Sequence, residues 1–257
     1  MLSVNQVSKM PSLTNKYQFI SSSELILKLQ AKGFELHRSV ETKPRKLERK
    51  GFQKHMLVFR HPSMTGFQAA NGLIPELLVI NSHDGSTSTK FMLGLFRLIC
   101  SNGLISVSET FDSYRIRHMG NSIETKLDDC IERLQVAAST LVDRVTKLSN
   151  TQVSDWMRDK FALDMAAVRL ENTPNVVTVD KESILKVVRQ GDTGLDVFTT
   201  LNVIQEKLVN GGISYTTSTT TETGNAVRFN TTRRVKSIDQ QVRLNKAVWA
   251  YAEKLVA

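Results

Sequence analysis

Hydrophobic positions are patterned in two ways along this chain, and the change falls near residue 121. Before it, short apolar runs are separated by glycine, proline, asparagine or clustered charge. Residues 34–40 alternate, residues 55–60 contain Met56-Leu57-Val58-Phe59, and residues 76–81 contain Leu77-Leu78-Val79-Ile80. Runs of this length and composition predict the strands of a sheet. Ahead of them, Ser21 to Ser23 are candidate caps for a helix over residues 24–32 that stops at Gly33. Residues 1–23 are polar and rich in Ser and Asn, which reads as an N-terminal arm. The run Phe91-Met92-Leu93, Leu95-Phe96, Leu98-Ile99 is apolar at almost every position and predicts a buried helix over residues 91–99, with Asn102-Gly103 as its stop. Residues 104–107 and 113–118 then read as a further pair of strands.

From Ser122 the period becomes helical. Leu127, Ile131, Leu134, Ala138, Leu141, Val145 and Leu148 alternate spacings of four and three, the pattern of a coiled-coil seam or of one face in a bundle. At 1.5 Å per residue the helix would be on the order of 40 Å long. Further helices are predicted over 153–170, 180–190, 195–209 and 236–256, with Asn172-Thr173-Pro174-Asn175 breaking the first of these. Gly211-Gly212 opens a Ser/Thr-rich stretch, a hairpin or loop near 211–224. The expected class is α+β: an N-terminal arm over 1–23, a basic mixed β-sheet with helices over 24–120, and a mainly helical region over 121–257 containing the long heptad-patterned helix.

Composition sharpens this picture. A chain of 257 residues, 40% of them hydrophobic, can bury a sizeable core. Its 34 Lys and Arg against 25 Asp and Glu give a net charge of +9, which favours a polyanionic partner such as nucleic acid. The excess lies mostly in residues 1–120, with 16 basic and 8 acidic side chains. Two cysteines, Cys100 and Cys130, stand in apolar surroundings and are too few for a disulfide framework, so a reducing, cytoplasmic setting is expected. No segment has the apolar length of a membrane span, and no secretory signal opens the chain.

Four groups of residues could carry chemistry. Lys43, Arg45, Lys46, Arg49, Lys50, Lys54 and Arg60, opposed by Glu41 and Glu48 alone, place a net +5 within 20 residues, with Phe52 and His55 among the cations. Cations neutralise phosphates while rings stack on bases, the combination a single strand needs. A solvated loop would look similar. Arg115 and Arg117 share one strand face while Ile116 points to the core, and His118 follows. Two guanidiniums on one face suit two phosphates, or an ion pair with Glu109 or Asp112. His83-Asp84, joined by His118, could bind a divalent metal or act as a general base. Asp84-Gly85 between serines also reads as an ordinary turn, in which Asp accepts from backbone N–H groups and Gly takes positive φ. Arg228, Arg233, Arg234, Lys236, Arg243 and Lys246 give net +5 between residues 228 and 246 once Asp239 is counted. They form either a second nucleic-acid surface or a solvated helix face. Phosphate-binding loops, dinucleotide glycine patterns, paired-cysteine zinc spacings and nucleophile elbows are missing from the sequence, so no cofactor and no ATP-driven action are expected.

Asn81-Ser82-His83-Asp84-Gly85-Ser86, then Arg97-Leu98-Ile99-Cys100-Ser101-Asn102-Gly103-Leu104, then Arg115-Ile116-Arg117-His118 resemble in this order the signature of a family of unknown function. That family recurs in phages, prophages and conjugative plasmids and is labelled phage/plasmid-like protein. The resemblance spans residues 77–120 and implies a setting in mobile-element DNA, with no activity to carry over. Charge, patterning and setting together give the expected function: a non-enzymatic protein that binds single-stranded DNA without sequence choice and anneals complementary strands in phage or plasmid recombination. Self-association through the 122–148 helix would make it a homo-oligomer, a ring or a filament. The binding residues would be Lys43, Arg45, Lys46, Arg49, Lys50, Lys54, Arg60, Arg115, Arg117, His118, Arg233, Arg234 and Lys236. Two alternatives stand beside it: a non-enzymatic interaction protein, such as an inhibitor of host defence, and a metal-dependent nuclease built on His83, Asp84 and His118.

Overall fold

A computed structural model describes residues 1–44, 46–62, 73–97, 104–105, 114–116, 128–129, 132, 140–141, 143–221 and 224–257. The chain divides into two compact units, Met1–Val142 and Asp143–Ala257.

In the first unit, helix α1 (Ser22–Ala31) is capped by Ser21, whose side chain accepts from the Glu24 backbone N–H at 3.2 Å. It buries Leu25 and Leu29 and ends where Gly33 takes φ +86°. The sheet consists of β1 (Glu35–Glu41), β2 (His55–Arg60), β3 (Leu73–Asn81), β4 (Thr89–Arg97), β5 (Leu104–Ile105) and β6 (Tyr114–Ile116), in the order β1-β2-β3-β4-β5 with β6 also pairing β4. Every described ladder is antiparallel, so the class is α+β as expected but the sheet is not mixed. Met56 to Phe59 and Leu77 to Ile80 are buried without alternation, because both faces of the central strands are covered.

The expected helix over 91–99 is instead strand β4, paired along its length with β3 from Leu73↔Arg97 to Ile80↔Lys90. A run that is apolar at nearly every position has no usable period, and a strand buried on both faces looks the same as a buried helix. The free edge of β3 decided between them. Asn102-Gly103, Cys100 and Cys130 lie outside the described residues. Residues 1–20 form no helix or strand, yet they are packed: Val4, Met10 and Ile20 are buried, and the Met10 N–H donates to the His83 carbonyl at 2.9 Å.

In the second unit, a helix covers 143–150, followed by α2 (Asp155–Leu170), β7 (Val176–Val179), α3 (Lys181–Leu185), α4 (Val197–Asn210), β8 (Ser214–Thr221), β9 (Gly224–Thr231) and α5 (Ile238–Val256). Each of α2 to α5 starts at a side-chain cap, Ser154, Asp180, Asp196 and Ser237 in turn. Phe161, Met165, Leu201, Ile204, Leu208, Leu244, Val248 and Trp249 form the core. The Ser/Thr-rich stretch is a hairpin, paired from Ser214↔Thr231 to Thr221↔Gly224. It belongs to a three-stranded sheet, because Val176-Val177-Thr178-Val179 adds β7 beside β8. The helix expected over 180–190 stops at Leu185, where Lys186 turns to extended backbone. Of the heptad positions, Leu141, Val145 and Leu148 are already buried by this chain alone. The positions from Leu127 to Ala138 lie outside the described residues.

Candidate nucleic-acid interface

His55 pairs with Asn81, so the connection into β2 and the connection out of β3 leave the same end of the first sheet. The first of these, residues 42–54, holds the basic run. It is closed at its base by Thr42, whose N–H and hydroxyl both donate to the Lys54 carbonyl, at 3.0 and 2.8 Å. Gln53 braces it from inside, donating to Glu41 and accepting from the Gly51 N–H at 2.6 Å. A short 3-10 turn, Leu47–Arg49, leads to Gly51 at φ +91°. The second connection, residues 82–88, is the expected turn: Asp84 accepts from the Ser86 N–H at 3.0 Å and Gly85 takes φ +73°. The two are tied together by the His83 N–H donating to the Phe52 carbonyl at 2.9 Å, and by Arg49 reaching Asp84 at 3.6 Å.

On this frame Lys43, Lys46, Arg49 and Lys50 are exposed and Lys54 is half-buried. Glu48 faces Lys46 at 3.8 Å, and Leu47 between them is 83% exposed. Arg60 does not join them. It ends β2 at the other end of the strand, about 17 Å away at the rise of a strand, and its guanidinium grips buried Glu76 at 2.9 Å. Burial pushes the Glu76 carboxyl above the usual range, and Arg60 opposes that rise. Arg60 is therefore a structural ion pair of the sheet.

Arg115 lies in β6 opposite Lys90 of β4, and Ile116 is buried, as its alternation requires. β6 runs toward the end of the sheet that carries the two loops, since Ile116 pairs with Thr89, the first residue after them. Arg45, Arg117 and His118 lie outside the described residues.

Beneath the loops lies a buried polar cluster that the sequence reading did not assemble. Ser22, at the start of α1, sits 2.7 Å from His55 Nε2 and 3.4 Å from His83 Nε2, and accepts from Asn81 Nδ2 at 2.9 Å. His55 Nδ1 lies 3.1 Å from the Gln53 carbonyl, which assigns the proton to Nδ1 and leaves Nε2 to accept from Ser22. Asn81 also accepts from Thr89 Oγ1 at 3.0 Å, and the Phe19 ring lies 4.8 Å from that of His83. All five polar residues are buried. His55 thus has no face for a base, and of the two rings read among the cations only half-buried Phe52 keeps one. Burial holds His55 below the ordinary imidazole range. His83 and Asp84 diverge, one into this cluster and the other onto the turn and Arg49. Among the described residues, no group of three or more His, Cys, Asp or Glu is placed to hold a metal.

In the second unit, Arg233, Arg234 and Lys236 are exposed on the segment between β9 and α5. The segment is anchored by the Val235 N–H on the Val209 carbonyl at 2.8 Å and by Arg169 on the Arg233 carbonyl at 2.9 Å. Arg243 is engaged with Glu171 at 2.9 Å and with the Val168 carbonyl at 3.2 Å. Among the described residues, no helix is long and apolar enough to cross a membrane.

Residues 9–249 match the family described as Domain of unknown function (DUF932). The chain is similar to two proteins of Escherichia coli (strain K12). It is 32% identical to UPF0380 protein YafZ over 257 residues, and 31% identical to UPF0380 protein YfjQ over the same length. Each alignment covers 99% of this chain and 88% of the relative. No solved structure matches it.

Proposed function

We propose that this chain, which belongs to the DUF932 family of unknown function, binds single-stranded DNA without sequence choice, in the setting of phage or plasmid recombination. The observation that carries the reading is the braced loop 42–54, which holds Lys43, Lys46, Arg49 and Lys50 in water with Glu48 and Asp84 as the acids beside them. A loop fixed at its base holds those charges at a set spacing, so a phosphate backbone releases counterions without a large ordering cost in the protein. Arg233, Arg234 and Lys236 supply a further patch in the second unit. Binding would rest on electrostatic contacts with the backbone, and annealing would require bases left free to pair.

A salt-titrated binding assay with single-stranded and duplex DNA tests this. Affinity for the single strand should fall steeply with salt, by about −0.7 in log–log slope for each phosphate neutralised. Replacing Lys43, Lys46 and Lys50 together by Ala should make that slope shallower by about 2. Replacing Lys207 and Lys254, outside these patches, should leave it unchanged. Binding indifferent to salt would rule the reading out.

A further inference from the structure

Strands β7, β8 and β9 contain no Asp or Glu and one cation, Arg228. Along β9, Val227 and Phe229 share a face and are 58% and 85% exposed. The register sets Phe229 beside Thr216 and Thr216 beside Thr178, so the ring stands at the end of a row of short hydroxyl side chains. Those two threonines are bonded to each other at 2.6 Å, which keeps the row low and flat. A phenyl ring has no polar atom that gains from water, and this one is left almost wholly in it. The exposed ring therefore has its face available to a partner.

Charge indicates which partner. Arg228 falls on the opposite face of β9 by the same alternation, but Arg233, Arg234 and Lys236 just beyond the strand are exposed. Their segment is fixed to the same hairpin, since the Gly212 N–H donates to the Thr232 carbonyl at 2.9 Å and Thr232 donates back to the Ile213 carbonyl at 2.9 Å. A flat ring with cations on one side and no carboxylate in its sheet matches a polyanion that carries planar faces of its own. Single-stranded nucleic acid is such a polyanion, whereas a duplex hides its base faces in the stack.

We propose that Phe229 is a base-stacking residue of a second nucleic-acid contact on the β8–β9 hairpin, with Arg233, Arg234 and Lys236 holding the adjoining phosphates. The proposal rests on the single-strand reading above and names the residue that would distinguish a strand with bases from a bare phosphodiester chain.

The experiment compares the full chain's binding to oligo-deoxythymidylate and to an abasic deoxyribose-phosphate oligomer of equal length at moderate salt. The parent should prefer the strand with bases by about 5- to 150-fold, the worth of one stacked base. Phe229→Ala should remove most of that preference while binding the abasic chain as the parent does, and Phe229→Trp should restore it. Circular dichroism checks that both variants fold, as expected for a side chain that packs on so little. A Phe229→Ala protein that keeps the parent's preference overturns the proposal and leaves single-strand binding standing. A parent that binds neither oligomer overturns the single-strand reading itself, and this proposal with it.

Discussion

Ser22 Oγ is the junction of the buried cluster, since His55, His83 and Asn81 all converge on it from elsewhere in the chain. Replacing it by Ala removes the donor to His55 Nε2 and the acceptor for Asn81 Nδ2 while the partners stay buried. Such groups cost about 1–3 kcal/mol when left unsatisfied, so Ser22→Ala should lower stability by that order in urea denaturation. The histidine beside it sets a pH dependence. Burial lowers the pKa of His55, so below the ordinary value of about 6.5 the unfolded chain takes up a proton that the folded form resists. Stability should be full above that pH and fall as pH drops below it, by at most about 1.4 kcal/mol per pH unit for this group. His37 is also held low, by burial first and then by Arg60 and Arg38, and acts in the same direction. Urea midpoints at pH 7.5 and 5.5 check the sign, and His55→Gln should show a smaller difference between them than the parent. Little of this cluster was legible in sequence. His55 stands among lysines and reads as a surface ring, and only the pairing of β2 with β3 turns it inward.

Among the elements, the helices were most legible where a cap marks them. Ser21 is a cap, and the helices expected over 153–170, 195–209 and 236–256 begin within two residues of their observed starts, where an oxygen-bearing side chain stands. The turns also read correctly: Gly85 takes the positive φ expected of it, and Gly211-Gly212 opens a hairpin. These two glycines differ in what surrounds them. A Cβ on Gly211 would collide with the Thr232 carbonyl oxygen, whereas one on Gly85 would meet the end of the flexible Leu13 side chain at 2.9 Å. Gly85→Ala should therefore cost about 1–2 kcal/mol, the strain of its backbone conformation alone. Gly211→Ala should cost clearly more, because backbone must move as well, and the two melting temperatures rank them. Strand β7 was missed for a different reason. Four β-branched residues after a proline turn are too short to stand out, and the free edge of β8 makes them a strand.

For the whole molecule, assembly is the property that the expected function needs most. Leu141, Val145 and Leu148 are covered within one chain, so the apolar stripe does not by itself demand a second subunit at that end. The case for a homo-oligomer rests on annealing, which must display a series of bases at once. On that ground an assembly larger than a dimer is expected in the presence of single-stranded DNA, and light scattering with and without the strand checks it. A monomer in both conditions would limit the protein to coating. By itself the sequence determined the α+β class, the concentration of charge in the first 120 residues, the caps, and the Asp84-Gly85 turn. Each of these depends on a residue and its near neighbours, or on a sum over many residues, and neither needs a distant partner. The tertiary structure decided that residues 91–97 are a strand, that Arg60 belongs to Glu76, and that Ser22, His55 and His83 meet. These depend on which segment lies alongside which. Burial on both faces erases the period that would mark a strand, and a contact across 33 or 61 residues leaves no local trace in the sequence.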